Sequence, residues 1–184
     1  MKEIQLWPTS IYTSILNIDT TSMKARILDM FSTTSTEYKS NYGGWQSHTR
    51  LFEDSTFTVL CQKISEAIYK QFNIEETKFL QMWACVNPPG ASNIVHTHGC
   101  LTHFSGVFYI DVPINSGNIG FRDPRLGHLN SPVKDLYPCG DFEYFIPEPN
   151  QLILFPSYLE HYVLTNTSNE NRICLSVDLL LKVF

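Results

Sequence analysis

Arg172-Ile173-Cys174-Leu175-Ser176-Val177-Asp178-Leu179 alternates without a break. Successive side chains of a β-strand point to opposite faces. Ile173, Leu175, Val177 and Leu179 therefore make one apolar face, suited to a core. Arg172, Cys174, Ser176 and Asp178 make the other, which opens with Arg and carries Ser, and so is suited to line a polar pocket. A guanidinium is a planar fork that matches a carboxylate through two parallel hydrogen bonds. Taken alone, Arg172 is more simply a surface residue at a strand end.

Working outward, the same texture fills the chain from residue 79 onward. Short apolar runs are separated by Gly, Pro and Asn, the signature of strands joined by turns. Strands are predicted near Phe79–Val86, Asn93–His98, Ser105–Val112, Asn118–Phe121, Gln151–Phe155, Glu160–Leu164 and Arg172–Leu181. Residues 124–144 form the longest irregular stretch, and a loop of that length in a compact domain is usually functional. Residues 1–75 read differently. A helix is predicted from Ser22 to Phe31 with Thr20 or Thr21 as its cap. A second is predicted from Asp54 to Phe72, where Phe57, Leu60, Cys61, Ile64, Ala67 and Ile68 recur at helical spacing. Pro8 makes Leu6–Tyr12 an edge strand or extended arm. Trp45, in Tyr42-Gly43-Gly44-Trp45-Gln46-Ser47, is read first as an aromatic plug at the edge of the core and second as a residue facing substrate. The expected fold is mainly β: a double-sheet roll in residues 79–184 with helices packed on one sheet, the whole of 1–184 forming one domain.

The 184 residues suit one such domain. Hydrophobic residues make up 43% and charged residues 17%, a globular composition. Thirteen Lys and Arg stand against 18 Asp and Glu, a net charge of −5 that argues against nucleic-acid binding. No apolar run approaches the length of about 20 residues that spans a bilayer. Met1-Lys2-Glu3-Ile4-Gln5 has no signal-peptide character. The five cysteines (Cys61, Cys85, Cys100, Cys139 and Cys174) are odd in number and show no C-x-x-C spacing. A reducing cytoplasm is therefore expected.

Among the six histidines, His96 and His98 stand two apart in Asn93-Ile94-Val95-His96-Thr97-His98. On a strand they would share one face, with Cα atoms about 6.5–7 Å apart. That spacing lets two imidazoles converge on one metal at roughly 2.0–2.1 Å each. His161 follows the buried strand before Pro156 and could be brought opposite by a hairpin. Neutral imidazoles suit iron, zinc, copper or nickel. Two half-exposed polar strand positions are the plainer alternative. His48, His103 and His128 read as loop or surface residues, and Tyr109 as a core tyrosine or a phenol facing the same anion as Arg172.

Taken in order, these pieces resemble the 2-oxoglutarate- and Fe(II)-dependent oxygenases, in particular a small branch similar to the prolyl 4-hydroxylases and found in bacteria and phages. The resemblance runs nearly end to end. It is carried by Leu6-Trp7-Pro8-Thr9, Gly44-Trp45-Gln46-Ser47, Asn93 with His96-Thr97-His98, Ser105 to Tyr109, Ser116-Gly117 with Phe121 to Arg125, Leu152 to Ser157 with His161, and the Arg172 strand. It implies a double-stranded β-helix (jelly-roll) core. It also implies iron on His96 and His161, and 2-oxoglutarate held by Arg172 with help from Ser176 and Tyr109. The implied chemistry is hydroxylation of a small-molecule or peptidyl substrate with release of succinate and CO2. Trp45, loop 124–144 and Arg125 become candidates to cover or hold the substrate; a salt bridge bracing the loop explains Arg125 as well. The oligomeric state is left open, a homodimer included.

One departure matters. The superfamily usually carries His-x-Asp, and here the Asp position is His98. Either His98 is a third ligand, or it stands off, or a carboxylate such as Asp123 or Asp111 completes the set. The first is preferred, which makes His96, His98 and His161 the expected metal ligands. Two rivals remain: a three-histidine cupin-type dioxygenase that does not use 2-oxoglutarate, and a non-catalytic β-roll binding module.

Overall fold

The strand pattern folds into two antiparallel sheets in the computed structural model, which describes residues 6, 8–99, 101–125 and 141–182. The elements in chain order are β1 (Tyr12–Ile15), α1 (Thr21–Thr33), β2 (Asn41–Tyr42), β3 (Trp45–Gln46), α2 (Thr58–Phe72), β4 (Thr77–Asn87), β5 (Ser92–His96), β6 (Phe104–Asp111), β7 (Ile119–Arg122), β8 (Phe142–Phe145), β9 (Gln151–Pro156), β10 (His161–Val163) and β11 (Arg172–Leu181). The larger sheet runs β1-β9-β6-β11-β4-β3 and the smaller β2-β5-β10-β7-β8. This is the double-sheet roll that the alternating runs predict.

Alternation divides the larger sheet between two cores. Met82, Ala84, Val86, Phe108, Leu152, Leu154, Ile173, Leu175, Val177 and Leu179 share one core with Met23, Ile27, Leu60, Ile64 and Ile68 of the helices. The intervening residues Trp83, Cys85, Val107, Tyr109, Ile153, Phe155 and Cys174 join Ile119 and Phe121 of the smaller sheet in a second core. Burying each of the Val, Leu, Ile, Met and Phe side chains among them stabilises the fold by about 1.5–3 kcal/mol. The edge-on contact of Phe121 with Phe155, at 4.9 Å between ring centroids, adds about 0.5–1.5 kcal/mol and ties the two sheets together.

Helix α1 starts and ends near its expected limits. Before α2, the Asp54 carboxylate accepts from the Thr56 N–H at 2.9 Å, capping a short 3₁₀ turn, Ser55–Phe57, that leads into the helix. The α2 C-terminus closes on Asn73 in the left-handed region, φ 56°.

The differences from the sequence reading are local. The first strand begins at Tyr12, beyond Pro8, because its backbone N–H groups must pair with β9 (Tyr12 opposite Leu154, Ile15 opposite Gln151). Strand β5 ends at His96, so His98 lies past it. Strand β8, Phe142–Phe145, falls in the stretch read as loop and pairs with β7. Residues 126–140 lie outside the described residues, and with them most of the expected covering loop, His128 and Cys139; Cys100 is also outside. Among the described residues no helix is long and apolar enough to cross a membrane.

Candidate metal centre and cosubstrate pocket

Strand pairing brings the two distant histidines together. His161 opens β10 and is the direct register partner of His96 at the end of β5. Their ring centroids lie 4.3 Å apart. His98 arrives by a different route: its backbone N–H donates to the Ser157 carbonyl at 3.1 Å. Its ring centroid lies 5.2 Å from that of His96 and 5.0 Å from that of His161. One potential ligand atom from each of the three residues lies within 4.8 Å of the others.

The donor set fits a divalent metal. His96 Nδ1 is 2.7 Å from the Ile94 carbonyl, His161 Nδ1 is 2.9 Å from the Leu159 carbonyl, and His98 Nδ1 is 2.7 Å from an Asp178 carboxylate oxygen. Carbonyl and carboxylate oxygens accept, so each Nδ1 carries the proton and donates. Every Nε2 is then left with a lone pair, the tautomer that metal-ligating histidines adopt. Burial favours the neutral form of two of the rings. Burial, reinforced by His96, pushes the His161 pKa down to about 3. Burial also lowers that of His96, against the hydrogen bond to Ile94. Trp83 stacks on His98 at 5.4 Å and Phe155 packs on His161 at 4.6 Å, walling the site from water.

The three histidines line a cavity that continues to Arg172, Cys174 and Ser176. Arg172 opens β11 and is only 2% exposed. Its Nε has no hydrogen-bond partner among the described residues, and neither has the buried Tyr109 hydroxyl. The Arg172 guanidinium carbon lies 5.1 Å from the Tyr109 ring centroid. Burial raises the Tyr109 pKa to about 12, against the pull of Arg172, so the phenol keeps its proton. Unpaired buried donors are costly. A buried cation with an open donor lining the cavity, with an unpartnered phenol beside it, calls for an anionic ligand. Beside Cys174, the Cys85 thiol lowers its pKa against burial, with help from the Arg172 guanidinium. One strand face serves both parts of the site: Arg172, Cys174 and Ser176 of β11 line the cavity, and Asp178 on the same face holds the His98 ring.

Other expected residues fall elsewhere. Trp45 does not face the cavity. It is 4% exposed, packs edge-on against Phe31 at 5.8 Å and donates through Nε1 to the Thr34 carbonyl at 3.2 Å. A large indole at the junction of α1 and β3 is drawn into the helix-side core, which corrects the substrate-facing role. Among the described residues, the metal-capable cluster holds the three histidines and neither Asp111 nor Asp123. Asp111 is ion-paired with Lys24 of α1, and Asp123 is gripped by Arg125 at 2.6 Å. Arg125 is thus in a local ion pair with Asp123. His103 accepts the Leu181 N–H at 3.0 Å and His48 the Arg50 N–H at 3.3 Å, both structural. The sequence reading missed Asp178, Ser105, Trp83 and Phe155 as site residues. An acidic residue on the Arg172 face of β11 was the available signal for Asp178.

A family model described as "Putative 2OG-Fe(II) oxygenase" matches residues 81–178, which span every residue of this centre. The chain belongs to the 2OG-Fe(II) oxygenase family. Fe(II) is its metal and 2-oxoglutarate its cosubstrate, which sets aside both the cupin-type and the non-catalytic alternatives. Solved structures share the fold, a double-stranded β-helix, at low identity. The non-heme alpha ketoglutarate dependent epimerase SnoN from nogalamycin biosynthesis superposes with a TM-score of 0.71 at 11% identity, over 94% of this chain and 78% of that one. A Pseudomonas putida prolyl-4-hydroxylase gives 0.62 at 13%, over 94% and 92%. A Trichoplax adhaerens prolyl hydroxylase, in complex with a hypoxia inducible factor peptide fragment, gives 0.67 at 13%, over 92% and 83%. No curated protein matches the sequence.

Proposed function

We propose that this oxygenase holds Fe(II) on Nε2 of His96, His98 and His161 and binds 2-oxoglutarate with its far carboxylate on Arg172. The single observation behind this reading is one cavity with two complementary ends. At one end stand three imidazoles whose Nδ1–H groups are already committed to oxygen. At the other stands a buried guanidinium with an open N–H.

The residues divide the work. Arg172 supplies charge and a fork to the carboxylate, Tyr109 donates its O–H nearby, and Ser176 lines the same wall. Trp83, Phe155 and Phe121 exclude water, which strengthens each charged contact inside. Iron with 2-oxoglutarate supplies oxidation of a C–H bond by O2, giving an alcohol, succinate and CO2. The substrate class is a small molecule or a peptide; on this fold SnoN is seen in complex with nogalamycin RO and the Trichoplax enzyme with a peptide fragment. Free Cys61, Cys85 and Cys174 support a reducing, cytoplasmic setting.

The test is succinate formation from 2-oxoglutarate by anaerobically reconstituted protein after exposure to O2. Iron-dependent succinate that disappears in His161→Ala and Arg172→Ala supports the assignment. Turnover unaffected by either substitution overturns it.

A further inference from the structure

The three imidazoles are not held alike. His96 and His161 donate Nδ1–H to neutral backbone carbonyls. His98 donates to a carboxylate, Asp178 Oδ1, at 2.7 Å. The same oxygen accepts the Ser105 hydroxyl at 2.7 Å, and Ser105 is the register partner of Asp178 across β6 and β11. Asp178 is 4% exposed and Ser105 0%. Among the described residues, the side chains that donate to Asp178 are His98 and Ser105. A carboxylate buried this deeply needs hydrogen-bond donors, and a nearby cation stabilises its charge further. The imidazole that stands where the superfamily usually has an acid is thus the one imidazole backed by an acid.

We propose that Asp178 is a positioning residue for the metal centre: through the His98 Nδ1–H bond it supplies, one residue removed from the metal, the negative charge that a directly bound carboxylate otherwise provides. It fixes the tautomer and plane of His98 and makes Nε2 a stronger donor, as carboxylates behind metal-bound histidines do. Ser105 holds the carboxylate in the plane that His98 needs. A dication on three neutral imidazoles and Asp178 then carries the same net charge as one on two imidazoles and an acid, and the buried carboxylate gains a counter-charge. This rests on the assignment of His96, His98 and His161 as ligands.

The experiment titrates metal-free protein with Co(II) alone, reading the dissociation constant and the visible absorption of the bound ion, with circular dichroism melting as the control for folding. Asp178→Asn keeps an acceptor for His98 and removes the charge. It is expected to weaken Co(II) binding about 10–100-fold and to shift the absorption bands while the far-UV spectrum is unchanged. His98→Asp alone sets two acids against each other. In His98→Asp combined with Asp178→Asn the amide can donate to the new carboxylate, and Co(II) binding is expected to be tighter than in His98→Asp. Wild-type affinity and bands in Asp178→Asn, or a double variant no better than His98→Asp, overturn the inference. So does a series in which every Asp178 variant is unfolded, since Asp178 would then be a folding residue. His96→Ala separates the two levels. If it abolishes Co(II) binding while Asp178→Asn leaves binding untouched, only the role of Asp178 falls. If it binds like wild type, the ligand assignment itself falls, and this inference with it.

Discussion

His96 and His161 are direct partners across the β5–β10 pairing, and their rings meet at 4.3 Å. Backbone hydrogen bonds thereby set the spacing of two side chains that are distant in sequence, before any metal arrives. Both rings also have their Nδ1 protons taken by local carbonyls, so the pair is preorganised in the correct tautomer. His96→Ala and His161→Ala are each expected to reduce iron content after anaerobic reconstitution to background, measured by metal analysis. Full iron loading in either variant would mean the pairing serves the fold alone.

Arg172 governs the other end of the cavity. Hydrogen bonds to charged groups contribute about 1.5–3 kcal/mol each, and a guanidinium–carboxylate pair makes two. Arg172→Ala is expected to weaken 2-oxoglutarate binding about 100- to 10,000-fold with iron content unchanged, read by titration calorimetry on metal-loaded protein under nitrogen. Arg172→Lys should recover only part of this, because an ammonium keeps the charge and loses the fork.

Acid should destabilise the metal-free chain through His161. Its folded pKa is depressed to about 3, against about 6.5 for an unfolded histidine. Below about pH 6.5 the unfolded chain takes up a proton that the folded chain refuses, so stability is complete above that pH and is lost progressively toward pH 3. His161→Gln, which does not titrate, should flatten this part of the dependence. Denaturant midpoints of both proteins between pH 7 and 4 would show it; parallel curves would contradict it.

Gly117 tests the scaffold behind β7 and β10. Its φ is +100°, and a Cβ there would sit 2.2 Å from the Leu164 carbonyl oxygen. Gly117→Ala forces either the left-handed backbone or the β10 exit to move, at a cost of about 1–3 kcal/mol. A lowered denaturation midpoint with reduced iron affinity is expected, because Ile119 pairs with Val163 two residues beyond His161.

Much of this was legible in the chain because it depends on local period. The alternation of β11 announced which residues face inward: Arg172, Cys174 and Ser176 do line one cavity, and Asp178 on the same face meets His98. The helical spacing of α2 gave its buried stripe. The histidine pair and the later His161 were visible as chemistry seeking a common site. What escaped was short or non-local. Two-residue strands such as β2 and β3 have no period to read. Strand β8 follows a stretch rich in Pro and Gly, and its Phe-Glu-Tyr-Phe becomes a strand only because β7 presents an edge to it.

The amino-acid order therefore determined the two cores, the inward faces and the inventory of ligands, since side-chain period and hydrophobicity are properties of neighbouring residues. The tertiary structure decided which inventory members meet. His98 leaves its strand yet turns inward because Ser157 anchors its backbone and Asp178 anchors its ring, whereas Asp111, Asp123 and Trp45 are captured by Lys24, Arg125 and the helix core. Each of these outcomes is a competition between partners far apart in sequence, settled by sheet register and burial, and no local pattern records the winner.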